Sequence, residues 1–245
     1  MIHKKLFSAA VIISVALFSC KKDKPVPDIK SGMVAYFPLN GSAFDSINNI
    51  SGIAHAVTPV ANRKNSSGMA IHFDRADTSF IDFGDHANYS FTNNQFTINC
   101  WVNTTDTSFS GTILSKRTPN GPYEYSLDNH FNHAVFNLDN WPADGSGCVY
   151  GVDPLSASAE VKLNEWHMIT YVTDGSSLKV YIDGVLQSGT DNYNAGKNFS
   201  DTNAPLMFGV GGGWGVNYYF TGSLDDVKFY NRVLTEEQIK YLFQK

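Results

Sequence analysis

Residues 171–189 read YVTDGSSLKVYIDGVLQSG, and the Asp174-Gly175 and Asp183-Gly184 pairs bracket a run in which Leu178, Val180 and Ile182 alternate with other residues. Asp-Gly pairs supply the positive backbone φ that tight hairpin turns need, and the alternation puts Leu178, Val180 and Ile182 on one face. The stretch can therefore fold only as a three-stranded meander. The same pattern recurs along the chain in MVAYFPL (33–39), MAIHF (69–73), SFIDFG (79–84), QFTINCWVN (95–103), TILSKR (112–117), YEYSLD (123–128), HAVFNL (133–138), WHMITYVT (166–173) and LMFGVG (206–211). These runs are short, rich in β-branched and aromatic residues, and separated by Gly, Asn, Asp, Ser and Pro, which predicts a β-sandwich or barrel.

With 17% charged residues, 13% aromatics and 20 glycines in 245 residues, the chain has the composition of an ordered β-rich protein. About eleven to fourteen strands over ~210 residues suit one antiparallel two-sheet sandwich, since large sandwiches exceed 200 residues without dividing. The net charge of −5 and the absence of long basic runs argue against nucleic-acid partners.

The N-terminus, MIHKKLFSAAVIISVALFSC, has a basic start, an apolar stretch from Leu6 to Phe18 and then Cys20. That is the layout of a secretory signal, and its apolar stretch is too short to span a bilayer. Leu17-Phe18-Ser19-Cys20 resembles the lipobox of bacterial lipoproteins, in which the cysteine is acylated and becomes the mature N-terminus. The resemblance implies residues 1–19 as a lipoprotein signal peptide and an outer-membrane protein anchored by lipid. Residues 20–31, which include KKDKPVPDIKS, read as the lipidated cysteine and an extended, proline-bearing tether. The domain proper is expected over 32–245. No acidic residues directly follow Cys20, so the surface-export signal typical of Bacteroidota lipoproteins is lacking and both periplasmic and surface placements stay open. Cys100 and Cys148 lie in a compartment that permits disulfides, and their pairing stays open.

The C-terminal stretch GSLDDVKFYNRVLTEEQIKYL (222–242) begins as a strand with two adjacent aspartates, Asp225 and Asp226. Strict alternation would set Asp225, Val227 and Phe229 on one face and Leu224, Asp226, Lys228 and Tyr230 on the other. A short helix follows. Thr235 as N-cap and Gln238 three residues on form a capping box, Leu234 can staple onto Ile239, and Ile239, Leu242 and Phe243 form an apolar plug for one end of the sandwich.

Taken together, GMVAYFPLNGSAFDS (32–46), FTINCWVNT (96–104), ILSKR (113–117), LNEWHMITYVTDGSSLKVYIDGVL (163–186) and YYFTGSLDDVKFYNRVLTEEQI (218–239) resemble the laminin-G-like jelly rolls of the concanavalin A-like lectin/glucanase superfamily. The resemblance implies an all-β antiparallel jelly roll, carbohydrate or protein binding, and a structural calcium. The ligands it implies are Asp45 and Asp225, carbonyls around Asn48 and His55, and Asp226 as a further carboxylate; a calcium ion takes six to eight such oxygens. The loop departs from the family's compact form by extra residues between Asn49 and His55.

Catalysis is not expected. Glucan hydrolysis needs two carboxylates at fixed separation on one strand face. The glutamates, at 124, 160, 165, 236 and 237, offer no such pair, and Glu124 is expected to face solvent or to pair with Lys116 or Arg117. No G-x-S-x-G elbow or phosphate-binding glycine loop occurs. Sugars stack apolar C–H faces on aromatics and hydrogen-bond to neighbouring polar groups. Two loops carry that chemistry, one with His133 and Trp141, the other with Trp214 and Tyr218. The expected function is non-catalytic glycan binding or adhesion, with an envelope protein as the alternative partner.

Overall fold

The computed structural model describes residues 26–93, 95–106, 108, 110–117, 123–130, 133–138, 161–190, 201–213 and 216–245. Alternating segments become strands in chain order: β1 (Met33–Phe37), β2 (Phe44–Asp45), β3 (Ile50–Ser51), β4 (Ile53–His55), β5 (Thr58–Val60), β6 (Ala70–Phe73), β7 (Phe80–Asp82), β8 (Phe96–Thr104) and β9 (Gly111–Arg117). There follow β10 (Tyr123–His130), β11 (His133–Leu138), β12 (His167–Thr173), β13 (Leu178–Ile182), β14 (Val185–Thr190), β15 (Leu206–Phe208), β16 (Val210–Gly213), β17 (Val216–Tyr219), β18 (Gly222–Tyr230) and the helix α1 (Glu236–Phe243).

Two sheets face each other. The first runs β14-β13-β12-β8-β18-β6-β5, with β1 also paired to β18; the second runs β11-β10-β9-β15-β7-β4, with the β16–β17 hairpin beside β9. The meander appears as β12-β13-β14, with positive φ at Gly175, Asp183 and Gly184, and Leu178, Val180 and Ile182 enter the core. That core is aromatic. Phe37 sits at its centre, with ring centroids 4.6 Å from Phe83, 4.9 Å from Phe208 and 5.6 Å from Phe229, in tilted or edge-on arrangements. Burying such a ring contributes roughly 1.5–3 kcal/mol each.

Strand β18 is shared between two neighbours on one edge. Gly222, Ser223 and Leu224 pair with β6, whereas Val227, Lys228, Phe229 and Tyr230 pair with β1. On the other edge β18 pairs with β8, and its register shifts between Asp225 and Lys228, with Asp226 at φ 52°. This bulge corrects the strict alternation expected from sequence: one extra residue keeps Leu224, Val227 and Phe229 in the core and turns both Asp225 and Lys228 outward.

The helix has the expected caps. Thr235 Oγ1 accepts from the Gln238 amide, and the Gln238 side chain accepts from the Thr235 amide. Leu234 and Ile239 are buried in a second apolar cluster with Trp101, Met168, Tyr181 and Tyr230. These are outward-facing residues of the first sheet, so α1 covers a face of the sandwich, not its end. Residues 28–31, expected within an extended tether, are fastened to this helix. The Asp28 carbonyl accepts from Arg232 at 2.9 Å and Gln238 at 2.6 Å, the Ser31 carbonyl accepts from Arg232 at 2.7 Å, and Ile29 packs on the second cluster.

Candidate functional site

The residues expected to share a calcium ion are divided between two cages. Asp45 ends β2 and is fully buried. Its Oδ1 accepts from the Tyr36, Ile47 and Asn48 amides, and its Oδ2 accepts from Asn48 Nδ2 at 2.6 Å and the Tyr89 hydroxyl at 3.1 Å. Asn48 Nδ2 also donates to the Val34 carbonyl, and Asn48 Oδ1 accepts from Asn88 at 2.7 Å. This cage closes the turn after β2. His55 stands apart, exposed, with its ring stacked on Phe80 at 5.1 Å.

Asp225 and Asp226 form the second cage, on the outward face of the first sheet where β18 changes neighbours. Arg63, from the loop after β5, donates from Nη1 to Asp225 at 2.5 Å and from Nη2 to Asp226 at 2.7 Å, and lies 4.6 Å above the Trp101 ring. The Tyr36 hydroxyl donates to Asp226 Oδ1 at 2.5 Å, and the Lys228 ammonium lies 3.4 Å from the same oxygen and 4.8 Å over the Tyr36 ring. Tyr36 thus joins the cages, with its amide on Asp45 and its hydroxyl on Asp226. Burial, and then the Asp226 charge, push the Asp225 carboxyl up to about 6, against the pull of Arg63. Burial works against ionisation of Asp226 too, but Lys228, the Tyr36 hydroxyl and Arg63 outweigh it and hold this carboxyl low.

This donor set does not fit a calcium ion. The Asp45 oxygens already take five donors, the guanidinium of Arg63 occupies the cation position between Asp225 and Asp226, and among the described residues no three His, Cys, Asp or Glu side chains converge on a point. In this structure these carboxylates are satisfied by amide, hydroxyl and guanidinium donors of the chain itself. Sequence reasoning missed Arg63 because it lies 162 positions from Asp225 and in no motif.

The outward face of the second sheet carries a different constellation. While Leu114, Tyr125 and Leu127 point into the core, Ser126 and Asp128 of β10 stand opposite Ser115 and Thr112 of β9. Asp128 accepts from Thr112 Oγ1 at 2.5 Å and from Ser126 Oγ at 2.6 Å, and Arg117 reaches back to Thr112 Oγ1 at 3.3 Å. The β16–β17 hairpin lies against this row. A Cβ on Gly211 would come within 2.6 Å of Thr112 and 2.9 Å of Arg117 Nε, so only glycine lets the hairpin approach so closely. Tyr218, expected at a ligand site, is on this hairpin and pairs with Gly211. Trp214, Trp141, Cys148 and the lipidation residue Cys20 lie outside the described residues, as does the side chain of His133 on β11. The alternation in YEYSLD is the sequence signal for this row: it sets Ser126 and Asp128 opposite in sense to Tyr125 and Leu127.

Glu124 takes the second of its two expected roles. The fully buried Lys116 ammonium donates to Glu124 at 2.8 Å, to Asp85 at 2.8 Å and to the Thr202 and Ala204 carbonyls, while Thr202 donates to Glu124 from both its amide and its hydroxyl. Lys116 and both Thr202 donors meet the same Glu124 oxygen, Oε1, and together these bonds tie Asp85 and the 202–204 segment to β9 and β10. Burial raises the Glu124 pKa, opposed by Lys116 and Thr202. Cys100 is a free thiol in the main core, pushed up to about 12 by burial.

Comparison with known proteins agrees with this architecture. Residues 75–240 match the Laminin_G_3 family, described as the concanavalin A-like lectin/glucanases superfamily. Among solved structures, the binding domain of Paraclostridial Mosquitocidal Protein 1 aligns with a TM-score of 0.64 at 17% identity over 86% of this chain and 52% of that one. Domain 4 of AbnA, an extracellular arabinanase of family GH43 from Geobacillus stearothermophilus solved with arabinotriose, aligns with 0.61 at 20% identity over 86% and 98%. A botulinum neurotoxin type C structure, whose cell entry depends on two ganglioside molecules, aligns with 0.57 at 14% identity over 86% and 50%. The chain spans about half the length of the mosquitocidal and neurotoxin chains it matches.

Proposed function

Because the chain belongs to the Laminin_G_3 family of the concanavalin A-like lectin/glucanases superfamily, we propose that it is an exported, lipid-anchored, non-catalytic domain that binds glycan. The observation that carries this reading is the row on the second sheet. There Asp128, Thr112, Ser126 and Arg117 form one largely buried network under a glycine hairpin that Ser115 fastens through the Val210 carbonyl and that brings Tyr218 to the same face. Thr112, Ser115, Ser126 and Asp128 are buried, so the row fastens the hairpin from beneath, and the half-buried Tyr218 on that hairpin is the group on which a sugar face would stack. Support comes from the arabinotriose complex and from the ganglioside-dependent toxin, both built on this frame. Glu124, the glutamate on the described strands of this sheet, is buried and ion-paired to Lys116, which supports binding over hydrolysis.

Retention on polysaccharide affinity gels and on a glycan array tests the reading, with Asp128→Asn, Trp141→Ala and Trp214→Ala compared at matched melting temperature. Binding by the parent protein, weakened at least tenfold in Asp128→Asn or in either tryptophan variant, is the expected result. Failure of the parent protein to bind any glycan overturns it.

A further inference from the structure

The N-terminal segment and α1 lie together on the outward face of the first sheet. Asp28 is latched to Arg232 and Gln238, and residues 26–30 share with Tyr241 and Lys245 a hollow of about 300 Å³. On the far side of the helix the β13–β14 turn packs against it, since a Cβ on Gly184 would lie 3.3 Å from Lys240 Cα and 3.5 Å from Phe243 Cβ. Around this helix apolar side chains stay exposed to solvent: Val26 is 72% exposed, Val185 57%, Leu186 44%, and Phe243, stacked on Trp101, 39%. Lys30, Lys240 and Lys245 stand among them, with Lys245 over the Tyr241 ring at 4.6 Å and Lys240 3.8 Å from Glu236, which with Glu237 occupies the first turn at the other end of the helix. Exposed apolar groups interspersed with lysines suit the headgroup region of an anionic bilayer.

Chain length decides what can cover this surface. Cys20 precedes Asp28 by eight residues, which reach at most about 28 Å when fully extended. A domain of this size has a radius of gyration of about 17 Å and so a diameter on the order of 45 Å. A leash shorter than the body it holds, and latched to one face of it, prevents that body from turning over. Residues 21–24, Lys-Lys-Asp-Lys, add positive charge to the leash itself.

Resting on the reading of Cys20 as the acylated N-terminus, we propose that the face carrying α1 and the β13–β14 turn rests on the lipid surface, so that the Asp128 row on the opposite sheet is directed away from the membrane. The occupant of the apolar and basic patch is the bilayer's headgroup layer. The latch between Asp28, Arg232 and Gln238 sets the orientation, and the lysines favour anionic lipid.

The acylated full-length protein, with Cys148→Ser, is placed in vesicles of phosphatidylethanolamine and phosphatidylglycerol. A bimane label at Val185→Cys, with Phe243→Cys as a second position on the same face, is compared with one at Val216→Cys on the hairpin beside the Asp128 row. A headgroup spin-labelled lipid is the quencher. Quenching at Val185→Cys and Phe243→Cys at least threefold stronger than at Val216→Cys is the expected result. Equal or reversed quenching in protein that co-floats with the vesicles overturns the proposed orientation while leaving the anchor standing. Failure of the full-length protein to float, matched by a Cys20→Ser variant, overturns the anchor and the orientation with it.

Discussion

At the scale of single residues, the adjacent carboxylates of β18 behave differently although they share one guanidinium. Asp226 has Lys228, Tyr36 and Arg63 around it and is held low, whereas Asp225, whose side chain is 2% exposed against 18% for Asp226, is pushed up to about 6 by burial and by the Asp226 charge. The sign of the consequence follows from linkage. A folded carboxyl at about 6 against an unfolded one near 3.8 means that between those values the folded chain holds more protons, so stability falls as pH rises through that window. The full contribution is present below about pH 4. Asp225→Asn imitates the neutral carboxyl and lacks this slope. Measured by urea unfolding, the stability of Asp225→Asn relative to the parent should increase by about 2–3 kcal/mol from pH 4 to pH 7, since each pH unit between the two ionisation points is worth roughly 1.4 kcal/mol. Because Asp226 is present in both proteins, its opposite pH dependence largely cancels in the difference. A difference independent of pH would show that Arg63 keeps Asp225 fully ionised. The Leu-Asp-Asp run marks these aspartates in the sequence but not their partner, since Arg63 is brought in by the loop joining β5 to its antiparallel neighbour β6 and carries no local signature.

Elements were legible wherever alternation and turn chemistry agreed. The meander, the long β8 and β18 strands and the capping box all follow from residues within a few positions of one another. Two elements escaped that reading. The segment around Asp45, which reads as an Asn-rich loop, forms the short strands β2, β3 and β4 because Asn49 takes φ 56° and closes a tight turn. The run LMFGVG breaks into β15 and β16 at Gly209, whose φ is 81° and whose absent Cβ makes room for the Phe73 ring, with carbons 2.2 and 2.8 Å from where that Cβ would be. Here neither the ring nor the backbone has anywhere to go: Phe73 is fully buried, the Gly209 amide donates to the Ile113 carbonyl, and the Gly209 carbonyl accepts from Phe220. Gly209→Ala should therefore cost about 3 kcal/mol or more, combining overpacking with a strained positive φ. Chemical denaturation reads this directly. A loss below about 1 kcal/mol would mean that the β15–β16 corner yields without disturbing the core.

For the whole molecule, the question is what joins the early β1–β5 segment to the late strand β18. A shared divalent ion would make folding depend on its concentration, because a ligand held only by the folded form stabilises it by RT ln(1 + [L]/Kd). In this chain the join is made of its own groups: β1 pairs with β18, Tyr36 spans from Asp45 to Asp226, and Arg63 bridges Asp225 and Asp226. An ion entering that cage would have to expel a guanidinium that is bidentate across two carboxylates and packed on Trp101, and would gain no third acidic ligand in exchange among the described residues. A guanidinium tethered to the chain also acts at a high effective concentration that dissolved calcium does not match. Melting in millimolar calcium and in excess chelator should then give midpoints within about 1 °C of each other, whereas a single site filled at a hundred times its Kd would add about 2.7 kcal/mol and several degrees. Coincident midpoints in the parent, together with a lower midpoint in Arg63→Ala, identify the arginine as the cation on which the β5–β18 junction depends. A midpoint several degrees higher with calcium would instead require ligands that these carboxylates do not supply.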